Sequence, residues 1–116
     1  MIRIALAALA LVFFAMPAAA HPKLLASTPA DGDAVVAPGE IKLLFSEKLF
    51  SKMSGAKLVR ADARPVSEVS VNFDSDGKSM KLVPVKPLTA GSYTVEWYGV
   101  AGDTHRVTGT VHFTVR

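Results

Sequence analysis

An all-β domain, a seven-stranded Greek-key sandwich, is what this sequence predicts, and three observations carry the prediction. From His21 onward the apolar residues come in short runs or alternate with polar ones, clusters of Gly, Pro, Asp and Ser punctuate those runs, and no span sustains a 3.6-residue period. The chain of 116 residues has room for one domain. Seven strands in its last 96 residues suit a two-sheet sandwich.

The first element is not part of that domain. Residues 1–20 have a secretory layout: Arg3 supplies the positive start, Ile4 to Phe14 an apolar run, and Ala15-Met16-Pro17-Ala18-Ala19-Ala20 a small-residue cleavage region, with the cut expected after Ala20. A membrane-spanning helix needs about 20 apolar residues, and this run is shorter and meets Pro17. Export is therefore expected, with residues 21–116 as the working domain. The remaining composition is that of an ordinary globular domain. Lys and Arg total 13 against 10 acidic residues, and no cluster concentrates the small surplus, which argues against a nucleic-acid partner. The absence of cysteine excludes disulfides, thiolate metal sites, a lipidated cysteine and a cysteine nucleophile.

Strands are predicted near residues 22–26, 40–46, 56–60, 68–73, 79–84, 92–98 and 106–115. Pro29-Ala30-Asp31-Gly32, Ala37-Pro38-Gly39, Asp74-Ser75-Asp76-Gly77 and Thr89-Ala90-Gly91 supply turn chemistry between them. In the last strand Val107, Gly109, Val111, Phe113 and Val115 share one face, the core face, and Thr108, Thr110, His112 and Thr114 the other. Pro87 to Tyr93 resembles the tyrosine corner of immunoglobulin-like sandwiches. Tyr93, Val95 and Trp97 alternate with Thr94, Glu96 and Tyr98, so Trp97 is expected in the core, His112 in solvent, and Met53 and Met80 as isolated packing residues.

The chemistry concentrates on few positions. Cleavage after Ala20 makes His21 the first residue, whose α-amine and imidazole can close a chelate ring on one metal ion. The α-amine has an ordinary pKa of about 7.7–8.0 and is readily deprotonated by a strong Lewis acid. Pro22 has no N–H to offer as a further deprotonated ligand, so capture must recruit donors from elsewhere in the fold. Asp103-Thr104-His105 offers them: in extended chain, positions i and i+2 project to the same side, pairing a carboxylate with an imidazole. Two imidazoles, one amine and one carboxylate form a nitrogen-rich set suited to tetragonal Cu(II); Zn(II) could use the same donors but ranks lower in divalent affinity. Glu47, at the end of the second predicted strand, is expected near His21 if the first two strands run antiparallel, as an axial ligand or an outer partner of an imidazole. No G-x-S-x-G motif, serine–base pairing or phosphate loop is present.

At these residues the sequence resembles the CopC family of periplasmic copper-binding, copper-resistance proteins. The likeness runs through His21-Pro22-Lys23-Leu24, Ser27 to Gly32, Phe45-Ser46-Glu47, Ser54 to Leu58, Pro87 to Trp97 and Asp103 to Gly109. The resemblance implies a seven-stranded Greek-key β-sandwich or barrel, immunoglobulin-like or cupredoxin-like. It further implies Cu(II) held by the His21 amine and imidazole, Asp103 and His105, with Glu47 matching a glutamate near that site in some members. Some members carry a Met- and His-rich loop for Cu(I) at the opposite end; here Arg60 to Glu68 contains neither residue, so that second site is not expected. The implied role is a non-enzymatic periplasmic Cu(II) protein for sequestration, tolerance or delivery. It is expected to be monomeric, with a membrane copper transporter of the CopD type as the candidate partner. The alternative is a small copper oxidase or monooxygenase, because a terminal His chelate with a second His also resembles the histidine brace of such enzymes.

Overall fold

A computed structural model describes residues 21–116, so the expected secretory segment and its cleavage point lie outside the described residues. Eight strands follow in order: β1 Leu24–Thr28, β2 Asp33–Val35, β3 Ile41–Phe45, β4 Gly55–Arg60, β5 Val69–Phe73, β6 Ser79–Pro84, β7 Gly91–Val100 and β8 Arg106–Val115, with one 3-10 turn at Ser51–Met53. They form two four-stranded sheets, β1-β3-β6-β5 and β2-β8-β7-β4. All neighbours pair antiparallel except β2, which runs parallel to the end of β8 with Val35 opposite Val115. The predicted all-β sandwich is the fold observed.

Alternation decides which faces meet. In β3, Ile41, Leu43 and Phe45 are buried while Lys42 between them is exposed, and β6 answers with Met80 and Leu82. From the second sheet come Leu58, Tyr93, Val95, Trp97, Val111, Phe113 and Val115, closing one core. Trp97 is there, as predicted, with its ring 5.0 Å from that of Phe45 in an edge-to-face pose. Its register partner is Gly109. The indole occupies the place of the missing side chain: a Cβ on Gly109 would stand 2.3 Å from Trp97 Cζ2. The tyrosine corner is also present, Tyr93 donating its hydroxyl to the Thr89 carbonyl at 2.6 Å. His112 is exposed on the threonine face, as expected.

Three details differ from the sequence reading. The segment expected as turns between residues 29 and 39 contains β2, too short to show alternation and held by β8 rather than by a hairpin partner. The first strand runs Leu24–Thr28, two residues later at each end than expected, with a register irregularity on β3 between Leu24 and Ala26. Met80 packs at the core centre, but Met53 does not: it ends the 3-10 turn with 53% of its surface exposed.

Candidate metal centre

β7 and β8 form the longest pairing of the fold, running from Gly91 opposite Val115 to Val100 opposite Arg106. Residues 101–105 connect them. The Thr104 N–H donates to the Ala101 carbonyl at 2.9 Å, and Thr104 sits in the left-handed region with φ of 64°. A β-branched residue there is a genuine outlier, the kind of local strain that persists only when its surroundings hold it. The Thr104 hydroxyl donates to the Asp103 carbonyl at 2.7 Å, and the His105 N–H donates to Asp103 Oδ1 at 3.2 Å. Asp103 and His105 come to the same side of the loop through a tight left-handed turn and not through the extended chain that was expected.

His21 arrives from the start of β1. Lys23 donates its N–H to Ser46 Oγ and accepts from the Ser46 N–H, both at 2.9 Å, which ties the segment to the end of β3. Pro22 is fully buried. Its Cγ lies near β7 at Gly99, where a Cβ would stand 3.7 Å away and only 3.2 Å from Leu49. Beyond lacking an N–H, Pro22 contributes its buried ring as an anchor next to His21 at the β7–β8 end of the fold. A single chain carries no signal of that second role, because a proline in a predicted strand start reads the same whether buried or exposed.

His21, Asp103 and His105 come together with one ligand atom each, all within 4.8 Å of one another. His21 Nδ1 is paired with Asp103 Oδ2, His105 Nδ1 lies 3.8 Å from the same oxygen, and the imidazole centroids are 5.3 Å apart. Burial is uneven: the Asp103 side chain is 8% exposed, against 58% and 74% for the two histidines. Asp103 Oδ2 is buried and receives no well-formed hydrogen bond, although both imidazoles face it. A cation among these nitrogen and oxygen donors could be shared by all three residues. The donor set fits a borderline divalent ion better than a soft one.

Glu47 does not share the cluster. It follows β3, half-buried, one residue beyond the Ser46–Lys23 pairing, at the same edge as the start of β1. The antiparallel β1–β3 arrangement from which its nearness was inferred is present. Ser54, with no base beside it in sequence, has a structural use: its buried hydroxyl accepts the Val100 N–H at 3.0 Å.

Fold and cluster together define a small β-sandwich with metal-ligand chemistry at one end. Comparison with known proteins agrees and is more particular. The CopC domain model matches residues 24–116, and the chain belongs to the CopC family. Copper resistance protein C of Pseudomonas syringae pv. tomato is 48% identical over 106 residues, spanning 85% of this chain and 83% of that protein. The protein of the same name from Escherichia coli is 44% identical over 109 residues, spanning 88% and 86%. Among solved structures, PcoC, a methionine-rich copper resistance protein from Escherichia coli, superposes with a TM-score of 0.78 at 45% identity, over 84% of this chain and 100% of that one. CopC from Methylosinus trichosporium OB3b gives 0.73 at 25% identity, over 82% and 93%.

Proposed function

We propose that this protein is a periplasmic Cu(II)-binding protein of copper resistance, which holds one ion between His21, Asp103 and His105 and passes it on without catalysing a reaction. The observation that carries the reading is the buried Asp103 carboxylate whose Oδ2 faces the Nδ1 atoms of His21 and His105, one ligand atom from each of the three residues lying within 4.8 Å of the others. In the precursor, the nitrogen of His21 is a peptide amide acylated by Ala20; cleavage after Ala20 releases it as an amine, which adds a second nitrogen from the same residue. Two imidazoles, an amine and a carboxylate then suit the four equatorial positions of Cu(II). Such a filled set leaves no open equatorial position for an oxygenase, which favours sequestration or delivery over the copper-oxidase alternative. The names of the relatives support copper resistance as the setting. Glu47 serves in this reading as an axial ligand or as an outer partner that orients an imidazole. The protein acts as a monomer, and a CopD-type membrane transporter is the recipient to examine first.

The test is a Cu(II) titration of the domain beginning at His21, followed by electron paramagnetic resonance. One equivalent bound, with a tetragonal spectrum and three coupled nitrogens, is the expected result. Absence of stoichiometric copper, or a spectrum without nitrogen coupling, would overturn the reading.

A further inference from the structure

We propose that the groove beside the metal centre, on the outer face of β4, β7 and β8, recognises the carboxylates of a small polycarboxylate chelate that brings Cu(II) to the protein, with Arg106 as the binding residue. The proposal rests on the copper-binding reading above for its cargo, and on separate residues for its recognition.

The groove has a volume of about 630 Å³ and is lined by Lys57, Glu96, Tyr98, Arg106, Thr108 and Thr110, within the range of small-molecule sites. Its charges are not balanced. Lys57 and Glu96 answer each other at 3.2 Å, whereas Arg106 forms no ion pair among the described residues and is exposed. The Arg106 guanidinium is nevertheless held in place, 4.1 Å above the centre of the Tyr98 ring. Tyr98 in turn lies over Gly55, where a Cβ would meet its hydroxyl at 2.7 Å. A guanidinium stacked on an aromatic face keeps its in-plane N–H edge free, and that fork matches a carboxylate. The threonine hydroxyls of β8 add neutral donors along the same face.

Position links the groove to the cargo. Arg106 directly follows His105 and pairs with Val100 on the last rung before the metal-site loop. A negatively charged copper chelate nearing this end also meets Asp103. Arg106, three residues along the chain from that carboxylate and without an ion-pair partner among the described residues, offsets the repulsion and holds the chelate while ligands exchange. Carboxylates released by the metal stay on the protein surface and leave the groove by dissociation; no bond other than metal coordination is made or broken.

The experiment compares the wild-type domain with Arg106→Gln and Arg106→Lys, following copper uptake by stopped flow from the anionic Cu(II)–citrate complex and from the neutral Cu(II)–bis(glycinate) complex. Arg106→Gln should slow uptake from citrate by about three- to fivefold, the scale of an exposed charged pair. The difference should shrink as salt rises. Uptake from bis(glycinate), final Cu(II) affinity and thermal stability should stay unchanged, and Arg106→Lys should recover part of the rate. In metal-free protein, citrate alone should shift the NMR signals of Tyr98 and Arg106. Equal rates for Arg106→Gln and wild type from citrate, or equal slowing from both complexes, would overturn the proposal, as would citrate leaving the groove signals unmoved. If the protein took copper from neither complex, the copper reading would fail while the citrate titration still judged the groove.

Discussion

Asp103 is the one carboxylate of the His21–Asp103–His105 cluster, and in the proposed reading it is a copper ligand. Its carboxylate is buried between two exposed imidazoles, with Oδ1 accepting the His105 N–H and Oδ2 facing the Nδ1 atoms of His21 and His105. Asp103→Asn keeps the shape and replaces one oxygen by an NH₂ that cannot ligate a cation. Loss of an outer partner alone lowers metal affinity 10–100-fold, so loss of this ligand should exceed about 100-fold in chelator competition, with the melting temperature little changed. His105→Ala should do the same, because its side chain is exposed and packs in no core. Unchanged affinity in either variant would remove that residue from the site. Acid acts in the same direction: ligands must be deprotonated to bind metal, so Cu(II) affinity should fall on acidification. The reason Asp103 and His105 meet was only half legible. The D-x-H spacing was visible, but the left-handed Thr104 that orients it was not, since threonine carries no signal for positive φ.

The β7–β8 ladder is the element on which the site depends, and its weakest tolerance is at Gly109. Gly109→Ala would drive a methyl into the Trp97 ring, and overpacking of this kind costs about 1–3 kcal/mol. It should lower the denaturation midpoint clearly, while a control substitution at exposed Thr110 should not. A Gly109→Ala domain as stable as wild type would show that the indole has room to move. On the other sheet the ion pair of β6 is a smaller matter. The Lys81 ammonium beside Asp74, at 3.0 Å, holds the Asp74 carboxyl below its ordinary range and raises the Lys81 ammonium. A depressed carboxyl stabilises the fold above its unfolded pKa and loses that contribution as pH falls through its folded value. The raised ammonium contributes fully below its unfolded pKa and loses its contribution as pH rises through its folded value. Both side chains are half-buried and still reached by water, which screens the pair, so Asp74→Asn should blunt acid sensitivity only slightly in a pH series of melting curves; a large loss would contradict the structure. Strong alternation made the long strands legible in the sequence, from β3 through β8. β2 was not, because a three-residue strand, two of its residues exposed, pairing parallel to a distant strand leaves no local pattern.

At the scale of the whole molecule, the sandwich is a rigid frame that brings position 21 to a loop more than 80 residues away in sequence. Pro22 under Gly99 and the Lys23–Ser46 pairing anchor one side, and the last rungs of β7 and β8 anchor the other. In the proposed reading, metal capture closes this pre-arranged set instead of folding a flexible one. The same frame leaves Met80 sealed in the core and Met53 alone at the surface. With no clustered thioethers among the described residues, the domain should yield Cu(I) to a strong chelator while keeping Cu(II). The three residues of the cluster stood out in the sequence as candidates because His21 and the D-x-H triplet are unusual together. The role of Pro22 as a buried anchor was not, since it depends on what the fold stacks against it.

The measurement that tests the account most directly compares the domain beginning at His21 with the same domain carrying one additional N-terminal alanine, by Cu(II) chelator competition in one buffer. The extension acylates the His21 nitrogen, which then cannot serve as a neutral amine, and leaves all three side chains in place. The account predicts a loss of affinity by orders of magnitude in the extended protein, with both forms equally folded. Equal affinities would contradict it, showing that the terminal amine is no ligand and that His21 stands beside Asp103 without holding copper through its own backbone.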